Sequence, residues 1–139
     1  MKRRSLFGFL ALPAALPVFA QQKPATKQRV IFQVSDNDPA KWNLALNNAK
    51  NVQTDLGKDN VQIEIVAYGP GLSMLRAESK VAPRLAGALD DSVGLIACEN
   101  TMKNTKVTRD DMYQGIGYVM AGVTHIMKRQ QEGWSYIRP

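Results

Sequence analysis

"SVGLIACENTM", residues 92–102, decides how this chain is read. Residues 92–98 are apolar almost throughout, the pattern of a central strand covered on both faces. The polar residues from Asn100 and Thr101 onward open a short helix, so a strand runs straight into a helix through Cys98. That residue is the only cysteine in the chain. A sheet of parallel strands linked by helices is the architecture that repeats this event.

Working outward, the same alternation recurs. "RVIFQVS" (29–35) is a β-branched apolar run of strand length. Asp38 then caps a helix whose first position is Pro39, where a missing N–H costs nothing. Trp42, Ala45, Leu46, Ala49, Val52 and Leu56 fall on one helical face, and Gly57 stops it. "NVQIEIVAYG" (60–69) is a second strand. Residues 72–89 read as helix in two pieces interrupted by Pro83. Thr108 and Asp111 cap a short helix at 109–113. A short strand "IGYVM" (116–120), a helix over 122–133 and an edge strand "WSYI" (134–137) complete the chain. The expected fold is α/β: a three-layer α/β/α sandwich around a mainly parallel sheet of about five strands.

The 139 residues suit one domain, with 45% hydrophobic and 22% charged residues. The first twenty read "MKRRSLFGFLALPAALPVFA": a basic start, an apolar stretch and small residues before Gln21. This is the pattern of a secretory signal cleaved after about Ala20, and Arg3-Arg4 fits a twin-arginine export signal. Too short for a bilayer, which takes ~20 apolar residues, the stretch is also broken by Pro13 and Pro17. The mature protein is therefore expected in the periplasm, with residues 21–28 a disordered leader and 29–139 the domain. Setting aside Lys2, Arg3 and Arg4 halves the formal charge of +6. The remaining charges are interspersed, without the basic block of a nucleic-acid binder.

Ligands of open parallel sheets sit at the carboxyl ends of the strands. There the topology gathers Ser35, Asp36 and Asn37 after the first strand, and Tyr68, Gly69 and Gly71 after the second. Cys98, Glu99, Asn100 and Thr101 follow the third. The two glycines permit turns that other residues resist and can aim N–H groups at an anion. Cys98, at a helix start, meets orphan N–H groups that favour its thiolate, the form that attacks sulfur. Glu99 opposes ionisation, and Lys103 or Arg109 can offset Glu99. Equally, a free cysteine packs well as a small hydrophobe, and the preceding "LIA" is core.

Other candidates are plainer. His125 has no neighbours at metal-ligand spacing and reads as structural or surface. Asn43, Asn47 and Asn51 form an amide stripe, either a solvated face or a subunit contact. Trp42 and the methionines read as core. Asp90-Asp91 and Asp110-Asp111 are adjacent pairs that do not make a dyad. No Gly-x-Ser-x-Gly, phosphate-loop or dinucleotide motif appears, and no cofactor is expected.

"VIFQVSDNDPAKWNLALNNAKNV" (30–52), "IEIVAYGPGLSML" (63–75), "ACENTM" (97–102), "RDDM" (109–112), "GIGYV" (115–119) and "GVTHIMKRQQEGWSYIRP" (122–139) together resemble the exported branch of the DsrE/DsrF-like family. The resemblance implies a YchN-like α/β/α domain that assembles as a trimer or hexamer. It also implies sulfur relay, in which a cysteine after a central strand carries sulfur as a persulfide. Cys98 is the one residue that matches such a position. The expected function is a periplasmic sulfur carrier trading sulfur with a donor or acceptor protein. The alternative is a non-catalytic oligomeric module that binds a small ligand or protein, with Cys98 as packing.

Overall fold

A computed structural model describes residues 26–139. The expected signal segment and residues 21–25 of the leader lie outside the described residues. The elements run β1 (Gln28–Val34), α1 (Pro39–Leu56), β2 (Val61–Ala67), α2 (Ala82–Asp90), β3 (Gly94–Cys98), α3 (Glu99–Asn104), β4 (Gly117–Val119), α4 (Gly122–Gln131) and β5 (Ser135–Ile137). Sheet order is β4-β3-β2-β1-β5, and every adjacent pair is parallel. The expected α/β architecture is the observed one. Outside the sheet, Arg76 and Met112 form an isolated antiparallel bridge.

Side-chain alternation along the strands builds two unequal cores. Val30, Phe32, Val34, Ile63, Ile65, Ala67, Leu95 and Ala97 face α1, α2 and α3, joining Trp42, Ala45, Leu46, Leu85 and Met102. Fully burying one such side chain contributes about 1.5–3 kcal/mol, so this larger layer dominates stability. Ile31 and Val66 face the other way, against Ile126 of α4 and Trp134. Cys98 follows Ala97 and so points to this thinner side.

Local chemistry accounts for the helix ends. Asp38 Oδ1 accepts from Ala40 N at 2.9 Å, and Gly57 closes α1 at φ 90°. Thr108 and Asp111 form a reciprocal cap, but over a 3-10 turn of only Arg109–Asp111.

Several expectations need correction. Residues 72–89 are not one interrupted helix. A 3-10 turn (Gly69–Leu75) is followed by the Arg76 bridge, and only then by α2. Pro83 lies in the first turn of α2, where proline starts a helix instead of breaking one. The third strand begins at Gly94 and not at 92, because Ser92 turns the chain at φ 61°. Leu56 is exposed; the buried position near that end of α1 is Gln53, whose amide donates to Asp91 O at 2.7 Å. Met120 and Met127 are also exposed, not core. Trp134 packs inside the protein, leaving β5 only three residues.

Candidate functional site

Cys98 is the last residue of β3 and the N-cap of α3, so its position follows from the strand-to-helix join. Only 5% of the residue is exposed. The surroundings are polar nonetheless. Its Sγ–H donates to Met120 O at 3.8 Å. Burial works against ionisation of the thiol. The Thr101 hydroxyl and the N–H groups of Gly122, Thr101 and Asn100 outweigh burial, holding it below the ordinary thiol value. The Asn100 N–H also donates to Met120 O at 3.0 Å, so its help is the least. The sulfur thus sits where α3 and α4 both begin.

Thr101 links this sulfur to the second loop. Gly69 N donates to Thr101 Oγ1 at 2.8 Å, leaving the hydroxyl proton free for Cys98. Gly69 takes φ 54°, a left-handed conformation that glycine adopts without strain. Gly71 is needed for a different reason. A Cβ there would lie 2.2 Å from Val34 O, so only glycine lets the turn seat against the end of β1. Both glycine N–H groups are internally bonded, Gly71 to Tyr68 O at 3.1 Å. They are not aimed at an anion, as the sequence had indicated.

Tyr68 lies beside the thiol. Burial raises its phenol pKa, as do the neighbouring Tyr136 and Cys98, against the opposing influence of Arg138 and a hydrogen bond with Ser35. Ser35 Oγ accepts from Gln33 Nε2 at 3.1 Å, and the Tyr136 hydroxyl bonds Gln33 Oε1. Asp36 sits at the border, held below the usual carboxylate range by Lys41 at 2.6 Å and Arg138 at 3.7 Å.

Five of the ten candidate residues therefore meet: Cys98, Thr101, Gly69, Tyr68 and Ser35. The others are turned elsewhere. Glu99 faces Arg109 at 3.7 Å, whose guanidinium stacks 4.1 Å from the Tyr118 ring, so Arg109 is the residue that offsets the acid. Asn37 lines a separate groove with Trp42 and Ser73. The Asn100 residue is exposed. Gly71 acts through backbone packing. Sequence reasoning missed Met120, Gly122, Tyr136 and Arg138. Gly122 at the head of a helix was the available signal.

Two grooves flank the sulfur without including it. One, of about 430 Å³, is lined by Gly69, Leu72, Arg76, Thr101 and Val107 among others. The other, of about 370 Å³, is lined by Met120, Ala121, His125 and Lys128. Behind the second is a cluster that the sequence did not reveal. Glu64, 7% exposed, bonds His125 Nε2 at 2.7 Å and takes both Arg129 Nη2 at 2.7 Å and Nε at 3.1 Å. Among the described residues no group of three or more His, Cys, Asp or Glu is placed to hold a metal. Nor is any described helix long and apolar enough to cross a membrane.

The DsrE/DsrF-like family pattern matches residues 28–139. Among solved structures, a protein of unknown function from Methanobacterium thermoautotrophicum, MTH1491, is 36% identical with a TM-score of 0.78. The match covers 81% of this chain and 100% of that one. A conserved protein of unknown function from Bacteroides thetaiotaomicron, BT1422, shares the fold at 13% identity and a TM-score of 0.63, over 85% of this chain and 100% of that one. No curated protein matches the chain. Because the family pattern spans nearly every described residue, the chain belongs to the DsrE/DsrF-like family, which is associated with sulfur relay.

Proposed function

We propose that the protein is an exported, periplasmic sulfur carrier in which Cys98 bears a persulfide. The Cys98 thiolate attacks the outer sulfur of a donor persulfide, R–S–SH. A new S–S bond forms to Cys98, the donor's S–S bond breaks, and R–S⁻ leaves and takes a proton from water. Transfer to an acceptor thiol is the same step run outward. One observation carries this reading: a buried sulfur faced by the Thr101 hydroxyl and the Gly122 N–H instead of by hydrocarbon. Those donors favour the thiolate and stabilise the terminal anionic sulfur of the product.

A homo-oligomer, trimer or hexamer, is part of the proposal. Met120 (76% exposed), just before α4, and Val123 and Met127 on it are exposed apolar side chains, the kind of surface that a subunit contact covers. The low exposure of Cys98 favours a rival, a non-catalytic binding module in which the thiol only packs.

Incubation of the native protein with a persulfide donor, followed by intact-mass measurement, separates the two. The carrier gains about 32 Da, the mass of one sulfur, and Cys98→Ser gains nothing. A native thiol that resists both the donor and a small alkylating reagent, yet reacts once denatured, leaves the binding module standing.

A further inference from the structure

The groove beyond Thr101 has the make-up of a small-molecule site. Its volume, about 430 Å³, falls within the range of roughly 300–1,000 Å³ that such sites occupy. Leu72 and Val107 give it apolar walls, while Ser73, Asn104, Thr101 and Arg76 supply polar groups. Arg76 is the one charged residue lining it. Arg76 Nε is buried and has no hydrogen-bond partner, a condition that costs free energy unless something else accepts from it. The same guanidinium's Nη2 pairs with the exposed Glu78 at 3.1 Å, a surface pair of little worth, and its charge weakly favours the Asp111 carboxylate. A planar guanidinium with free donors is suited to a carboxylate. Thr101, whose hydroxyl faces the Cys98 sulfur, lines the same groove.

Building on the carrier reading, we infer that this groove binds the organic part of a low-molecular-weight persulfide bearing a carboxylate. Arg76 anchors the carboxylate, and the persulfide end lies over Thr101 toward Cys98. The donor's outer sulfur passes to Cys98 by the exchange written above, which needs no added oxidant or reductant. The second groove, with His125 and Lys128, has its histidine engaged by Glu64 and no unpaired buried donor among its lining residues.

Loading of the full chain is followed by intact mass as a function of donor concentration, with glutathione persulfide and inorganic polysulfide as the two sources. Arg76→Gln raises the glutathione persulfide concentration needed for half-maximal rate about tenfold, the effect of losing one charge-assisted contact. Its loading from inorganic polysulfide stays at the wild-type rate, which also establishes that the variant is folded. Arg76→Lys falls between, and Lys128→Gln behaves as wild type. The inference is overturned if Arg76→Gln leaves both sources unchanged, if it slows both equally, or if the loss appears in Lys128→Gln instead. Loading from neither source in the wild type removes the carrier reading itself, a distinct outcome.

Discussion

At the scale of single residues, Thr101 controls the sulfur. Its hydroxyl accepts from Gly69 and favours the Cys98 thiolate, so Thr101→Val removes that support without emptying the space. The thiol pKa then rises toward the ordinary value. The midpoint of the alkylation pH–rate profile moves up with it, and the variant reacts more slowly at neutral pH. The linkage has a definite sign. Cys98 has a lower pKa folded than unfolded, so ionisation adds stability as pH rises from the folded value toward the ordinary thiol value. That increment is lost as pH falls back through the folded value. Denaturant midpoints of wild type and Cys98→Ser should diverge across that window and run parallel below it; parallel curves throughout would count against a depressed thiol. The sequence disclosed the position of Cys98 because a strand-to-helix join is written in local pattern. The groups that tune it, Gly122 and the Met120 carbonyl, lie more than twenty residues away, and no local pattern announces them.

Among the elements, α4 is held to the sheet by a part-buried charged cluster. Glu64 sits in a strand that is otherwise apolar and takes His125 and Arg129 from one face of the helix. Arg129 also reaches Glu132 at 2.9 Å and stacks 4.7 Å from the Trp134 ring. Glu64→Ala leaves the Arg129 guanidinium and the His125 ring without their shared partner, and both remain partly open to water. The loss is about 2 kcal/mol, below the 3–5 kcal/mol of a fully buried pair. Urea denaturation measures it, and amide exchange should quicken across residues 123–131 before the larger core opens. A wild-type exchange pattern in α4 would show that packing on Ile126 suffices alone. From sequence, Glu64 looked like one acid in a strand and His125 like a plain helix residue. Their meeting depends on a separation of 61 positions. The asparagine stripe on α1 is similar: Arg84 of α2 bonds Asn43 at 2.6 Å and Asn47 at 2.7 Å, so those amides join two helices of one chain.

For the whole molecule, the two sides of the sheet are unequally dressed. Among the described residues, three helices cover one side and a single ten-residue helix the other. The exposed Met120, Val123 and Met127 belong to that thinner side. On the proposed homo-oligomer, Val123→Glu dissociates the assembly to monomers in light scattering while leaving the circular dichroism spectrum intact. A mass unchanged by the substitution would place any subunit contact elsewhere. The strand and helix order was legible because hydrophobic period and caps are local. Sheet order and the imbalance between faces were not, since both depend on which strand lies beside which.

Burial beneath the backbone of Met120 has one more consequence for a carrier. A second sulfur, about 2 Å further out along its bond, has to find room beside a carbonyl only 3.8 Å from the first. The strap that must yield bears Met120, the most exposed of the apolar side chains proposed to meet a neighbouring subunit. On the proposed carrier reading, a laden molecule and an empty one then differ in outline as well as in cargo.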